Sequence, residues 1–355
     1  MNFKAIEKIA DAVLYEGYVL YPYRASAVKN RQRWNFGGLF PKAYSETQKG
    51  SDAWTMQTEC LVERPGENGG PEPTVDIKVR FLQISIREAG RLTSPDQELP
   101  DGAEPAYEVV DSVVVDGKTI HTWQEAIERD VWMQGLSLPE IAARSVNREF
   151  SFPANRELEM HRADGRVIIR RQERIDGSVE ISAESIAAGL FRLRVVIRNN
   201  TPIDNPVSAT RDEAAMYAMA STHTILACRD GEFVSLMDPP EPWSELAAGC
   251  KNVGAWPVLV GDEPQRAFLL ASPIILYDYP QIAPESPGDL HDGLEIDEIL
   301  TLRIMSLTDE EKQEMRSLDD RTRAILERTE NLPPDQLAKL HGAVRGLRQL
   351  QEGAP

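Results

Sequence analysis

The chain has 355 residues, 41% of them hydrophobic and 27% charged, and a formal net charge of −18; it is long enough to bury a sizeable core without disulfide or metal staples. That charge works against binding a nucleic-acid polyanion anywhere outside a local basic patch. No apolar run approaches the roughly 20 residues of a bilayer span, and Glu7, Lys8, Asp11 and Glu16 stand where a secretory leader would be apolar.

Residues 3–16 place Ile6, Ile9, Val13 and Leu14 at helical spacing, with Gly17 as the stop. Tyr21, Tyr23, Arg24, Lys29, Arg31, Arg33, Trp34 and Phe36 then interleave aromatic with basic side chains. Such a mixture can stack on a nucleic acid or grip an acidic protein surface, where Arg and aromatic residues are favoured. With the overall charge at −18, a protein-binding surface is the expected use.

From Trp54 the period changes to two. Met56, Thr58, Cys60 and Val62 alternate with polar neighbours, as do Val75, Ile77, Val79 and Phe81 after a Pro-Gly-Asn-rich turn at 65–71. This pattern predicts a hairpin over 53–86. Residues 89–105 read as a loop, and Asp116-Gly117 between apolar segments predicts a tight hairpin turn. Residues 122–148 are ambiguous between strand and helix, although Ser137-Leu138-Pro139-Glu140 resembles a helix start. Over 165–200, three β-rich runs are punctuated by Asp176-Gly177 and Ala188-Gly189, as in an antiparallel sheet. A short helix is expected from Asp212 to Ala220, then strands near 224–227, 232–237, 256–260 and 267–276. The C-terminal part reads as helical: Ile296, Ile299, Leu300 and Ile304 share a face, and Thr308-Asp309-Glu310-Glu311 forms a capping box. A last helix is expected after Pro333-Pro334.

The fold class expected is α+β, an antiparallel β-rich body of sandwich-like sheets with short helices and a helical C-terminal tail. The expected divisions are an N-terminal helix and basic-aromatic segment at 1–50, β-rich domains at 51–160 and 161–290, and C-terminal helices at 291–355. Residues 1–50 carry a charge of +4 and residues 281–330 a charge of −8, an asymmetry suited to mutual contact or to a basic partner.

The chain carries none of the nucleotide-binding, hydrolase or zinc-protease signatures GxxxxGK[ST], GxGxxG, GxSxG or HExxH. Asp289, His291 and Asp292, close to Asp278, could hold a divalent metal in a metal-dependent enzyme using the loop 278–298, but their spacing matches no fixed ligand pattern. A solvated acidic loop whose negative residues favour the N-terminus of the helix that follows is the better-supported reading. His223 and Cys228 are five apart on a predicted strand and therefore face opposite ways, so both read as core residues. The three cysteines Cys60, Cys228 and Cys250 are scattered, form no CxxC pair, and fit a reducing cytoplasm. The proline-stiffened stretch Ser272–Asp289 carries Tyr277 and Tyr279; a rigid aromatic loop of this kind either binds a partner or packs along the surface.

Two strings, Val13–Arg24 and Ser272–Asp289, resemble a family of proteins encoded beside high-affinity nickel–iron hydrogenases in soil bacteria. The resemblance implies a non-catalytic accessory role, binding a hydrogenase subunit or maturation factor during assembly, and it supplies no catalytic residues and no cofactor. Tyr21, Tyr23, Arg24, Arg31, Arg33, Trp34, Tyr277 and Tyr279 would form the partner-binding surface. A permanently assembled structural subunit would use the same surfaces.

Overall fold

The structure, a computed structural model, describes residues 4–14, 37–48, 50, 52–64, 70–94, 104–281, 301–302, 304–318 and 320–333. It is an α+β fold built on two antiparallel sheets. The smaller sheet contains β1 (Thr55–Glu63), β7 (Val146–Phe152), β10 (Ile175–Ala187), β11 (Leu190–Asn199) and β13 (Glu232–Val234), in the order β13-β1-β11-β10-β7.

The larger sheet is organised around β2 (Thr74–Leu92), a strand of 19 residues. Along its first half β2 pairs on one side with β12 (Met219–Arg229) and on the other with β6 (Trp123–Ser137). Further on it pairs with β9 (Arg166–Gln172) and β3 (Tyr107–Val110). Beyond β12 lie β15 (Phe268–Ser272) and the edge strand β14 (Trp256–Leu259), and beyond β9 lies β8 (Asn155–His161). Among the described residues no helix is long and apolar enough to cross a membrane.

The two sheets pack face to face. Val75, Ile77, Val79 and Phe81 of β2 and Leu226 and Cys228 of β12 join Cys60 and Val62 of β1 and Leu193, Val195 and Ile197 of β11 in one buried cluster. The period-two alternation read from the sequence is what delivers these side chains to one face. Burying each such side chain contributes roughly 1.5–3 kcal/mol.

The outer face of the large sheet is covered by helices from both ends of the chain. In α1 (Lys4–Leu14), Ile6, Ala10 and Val13 form a stripe against Ile225, Val258, Phe268 and Leu270. The helices α6 (Asp309–Leu318) and α7 (Asp320–Glu330) place Met315, Ile325 and Leu326 against Leu82 and Ile84 of β2. Leu14 joins that second cluster. The described N- and C-terminal regions therefore meet through apolar contact, whereas Glu7 and Asp11 of α1 pair with Lys78 and Arg80 of β2.

Local turn chemistry behaves as expected. Asp116 (φ 50°) and Gly117 (φ 74°) close the two-residue hairpin between β4 (Ser112–Val115) and β5 (Lys118–His121). The capping box at Thr308 is reciprocal: the Thr308 N–H donates to Glu311 at 2.7 Å, and the Glu311 N–H to Thr308 Oγ1 at 3.3 Å.

Three expectations are corrected. First, β1 and β2 do not form a hairpin: β1 pairs with β11 and β13, and β2 with β12, β6, β9 and β3, so the two strands lie in different sheets. Second, Asp176-Gly177 is not a turn but part of β10. Gly177 is paired with Phe150 of β7, and a Cβ at 177 would clash with the Phe150 ring. Third, segments 51–160 and 161–290 are not separate domains, because β1 pairs with β11, and β2 with β9 and β12.

Candidate functional site

Three places gather polar or exposed apolar groups in a way the fold does not by itself require. The first is the β14 edge. In the β14–β15 pair the Val260 N–H donates to Phe268 O, so alternation turns the backbone groups of Leu259 and Pro257 outward. Both positions are blocked. Pro257 has no N–H to offer, the Leu259 N–H donates to Asp278 Oδ1 at 2.8 Å, and Leu259 O accepts from the Tyr279 N–H at 2.7 Å.

Asp278 is held in turn by Ser235, whose Oγ donates to Asp278 Oδ2 at 2.5 Å and accepts the N–H groups of Met237 and Asp238. Tyr279 takes the left-handed conformation, φ 56°, and packs against the main core; a non-glycine residue holds that conformation only where its surroundings enforce it. Burial, with the charge of Asp278 second, raises the Tyr279 hydroxyl above its ordinary pKa, so it is a neutral donor.

The preceding segment alternates. Ile274 and Leu276 face the cluster beneath α1, leaving Ile275 70% and Tyr277 80% exposed. Met237, whose N–H donates to Ser235 Oγ, and Trp256 of β14 are also exposed. Around them, residues 230–280 carry eight Asp/Glu against only Lys251 and Arg266. Of the residues expected to bind a partner, the structure thus places Tyr277 in solvent and Tyr279 in a wall. Tyr21, Tyr23, Arg24, Arg31, Arg33 and Trp34 lie outside the described residues, as do Asp289, His291 and Asp292. Among the described residues no group of three or more His, Cys, Asp or Glu side chains is arranged to hold a metal, and Asp278 is engaged in tethering.

The second place lies under α1. Lys78 and Arg80 are buried. Lys78 Nζ is 3.2 Å from Glu7 and 3.0 Å from Asp130. Arg80 reaches Asp11 at 2.8 Å and Glu128 and Asp130 at 3.3 Å each. Burial opposes the Arg80 charge, but the Asp11 hydrogen bond and the charges of Asp11, Asp130 and Glu128 overcome it and hold the guanidinium above its ordinary pKa.

Opposite Arg80 stands His223, fully buried beside a bulge in β12 where Ser221 has φ 51°. Its Nδ1 lies 2.9 Å from Ser221 O, and its Nε2 has no hydrogen-bond partner among the described residues. Burial lowers its pKa to about 4, so the ring is neutral, with its proton on Nδ1. Cys228 faces the opposite side of β12, in the inter-sheet core, and burial pushes its thiol up to about 12. Burial likewise holds Cys60 well above and Cys250 above the ordinary range. All three are free thiols that stay protonated.

The third place is a cleft of about 810 Å³ between the β4–β5 hairpin, β9 and the α6–α7 pair. At its base Arg87 of β2 donates to His121 O at 3.1 Å, to Glu125 at 2.8 Å and to the carbonyl of Leu318, the last residue of α6, at 2.7 Å. A cation at a helix C-terminus also complements the helix dipole. Burial lowers the pKa of His121, keeping it neutral. No spacing in the sequence announces this cleft, because its walls come from β2, β5, β6, β9 and the C-terminal helices.

No family model matches the chain, and no curated protein is significantly similar to it.

Proposed function

We propose that the chain is a non-catalytic accessory protein that docks a protein partner on the β14 edge, with Tyr277 and Ile275 as anchors. The observation that carries this reading is the contrast between those two side chains, 80% and 70% exposed, and the rigid attachment of the residues directly after them. An exposed aromatic residue on a fixed backbone loses little conformational freedom when a partner covers it. The acidic surroundings favour a partner whose apolar patch has a basic rim. The resemblance described above nominates a hydrogenase subunit or maturation factor in the cytoplasm as that partner.

The test is affinity capture of the tagged chain from its native host, beside the double variant Ile275→Ser, Tyr277→Ala. Both side chains are exposed, so the variant should fold with an unchanged melting temperature. The wild type is expected to retain a stoichiometric protein partner that the variant loses. A partner retained equally by both would move the interface elsewhere, and recovery of the chain alone would remove the accessory role.

A further inference from the structure

We propose that β7 is the contact strand of a symmetric dimer, its open edge pairing antiparallel with the same edge of a second copy of this chain. β7 is the last strand of the smaller sheet and, among the described residues, pairs with β10 alone. The Asn200 N–H donates to Asp176 O, so Asp176 faces β11, and the alternate residues Gly177, Val179 and Ile181 turn their backbone groups to β7. Their partners Phe150, Arg148 and Val146 are thereby bonded, while Asn147, Glu149 and Ser151 present N–H and C=O groups outward. Among the described residues no backbone hydrogen bond reaches those three from the open side.

An open edge is a template for another strand unless something blunts it. Other edges of this molecule are blunted. β14 is closed by Pro257, Asp278 and Tyr279, β13 has three residues and its central N–H donates to Arg266 O, and β8 crowds Arg156, Glu157, Glu159 and His161 into seven residues. β7 carries no proline, pairs without a bulge from Val146 to Phe152, and holds Phe150 and Phe152 half-buried on its inner face. A two-fold axis perpendicular to the sheet pairs only residues that share a face, which leaves three registers near the middle of β7. Centred on Arg148 or on Glu149, the register sets that side chain against its own copy, and like charges directly opposite are destabilising. Centred on Phe150, it pairs aromatic with aromatic, sets Arg148 against Phe152 and Glu149 against Ser151, and brings no like charges together. Charge therefore selects the Phe150 register. In it, Glu149 and Ser151 of the two copies exchange backbone hydrogen bonds on both sides of the axis, and Pro153, opposite Asn147, ends the ladder.

The experiment is sedimentation equilibrium of the full chain from roughly 1 to 200 µM, the range that a small interface of this kind demands. A reversible monomer–dimer equilibrium is expected. Glu149→Pro should return the chain to monomer, because it deletes an outward N–H and no bond to β10. Ser151→Lys and Ser151→Glu read the register without touching the core, since Ser151 is exposed. Each alters two symmetry-related contacts with Glu149, so Lys should tighten the dimer and Glu should loosen it, by about fivefold each. A chain monomeric throughout the range would overturn the proposal, as would a dimer that persists in folded Glu149→Pro or is indifferent to both charges at 151. Because β7 shares no residue with the β14 edge, the Ile275→Ser, Tyr277→Ala variant should dimerise as the wild type does, and a dimer lost in that variant would place self-association on the β14 edge instead. This inference and the docking reading therefore stand or fall separately.

Discussion

His223 is held by two opposing influences. Complete burial disfavours its charged form, while Asp11 and Asp130 favour it and Arg80 opposes it; burial dominates and leaves the pKa at about 4 against an ordinary 6.5. A histidine whose folded pKa is depressed contributes stability that is fully present above about 6.5 and is lost as the pH falls towards 4, because the unfolded chain takes up the proton first. At 1.36 kcal/mol per unit the loss between those limits is roughly 3 kcal/mol. Denaturant unfolding of the wild type and of His223→Asn, repeated from pH 7.5 to 4, measures it as a difference, which cancels the carboxylates common to both. The wild-type curve should fall relative to the variant across that window; parallel curves would show that the ring is hydrated or already charged. The orphan Nε2 and the left-handed Ser221 beside it were not legible in the sequence. A lone histidine in an apolar run gives no sign of what lies over it, and only the assignment of His223 and Cys228 to opposite faces of a strand followed from spacing.

At the scale of elements, short-range signals carried furthest. The Asp-Gly turn, the Thr308 capping box and the apolar stripe of α1 each depend on residues within four positions of one another, and each forms as expected. Pairing between distant strands is different. The alternating runs of β1 and β2 fit a hairpin and a two-sheet arch equally well, and only the inter-sheet core selects the arch. The attachment of the C-terminal helices was invisible for the same reason, since Arg87 and Leu318 are 231 positions apart. Arg87→Met should strand the Leu318 carbonyl and leave Glu125 without its closest partner. Losing a buried charged partner of this kind costs about 2–4 kcal/mol. The loss should be concentrated in α6 and α7, whose amides would exchange faster while those of β1 and β11 keep their protection. Uniform acceleration across the chain, or none, would show that Arg87 does not latch the helices.

At the scale of the whole molecule, the two sheets are interleaved along the chain, and this decides how it folds. β1 finds its partners at 190–198 and 232–234, and β2 finds its own at 107–110, 123–137, 166–172 and 219–229. The expected division at residue 160 falls close to Phe152-Pro153-Ala154-Asn155, where a proline breaks the alternating pattern. That break is the passage of the chain from β7 in one sheet to β8 in the other. Cutting there would leave β1 and the first half of β2 with unpaired edges, and would expose the inter-sheet face carrying Val75, Ile77, Val79 and Phe81. Residues 1–160 and 161–355 expressed separately should therefore lack a cooperative transition and near-ultraviolet dichroism, and should recover both when mixed during refolding only if the pieces reassemble. The intact chain should unfold in a single urea transition reported identically by tryptophan fluorescence and far-ultraviolet dichroism, since Trp54, Trp123, Trp132, Trp243 and Trp256 sit in regions tied to both sheets. Two separated transitions, or a half that folds alone, would restore the two-domain division, and the β14 edge would then have to be treated as belonging to the second unit by itself.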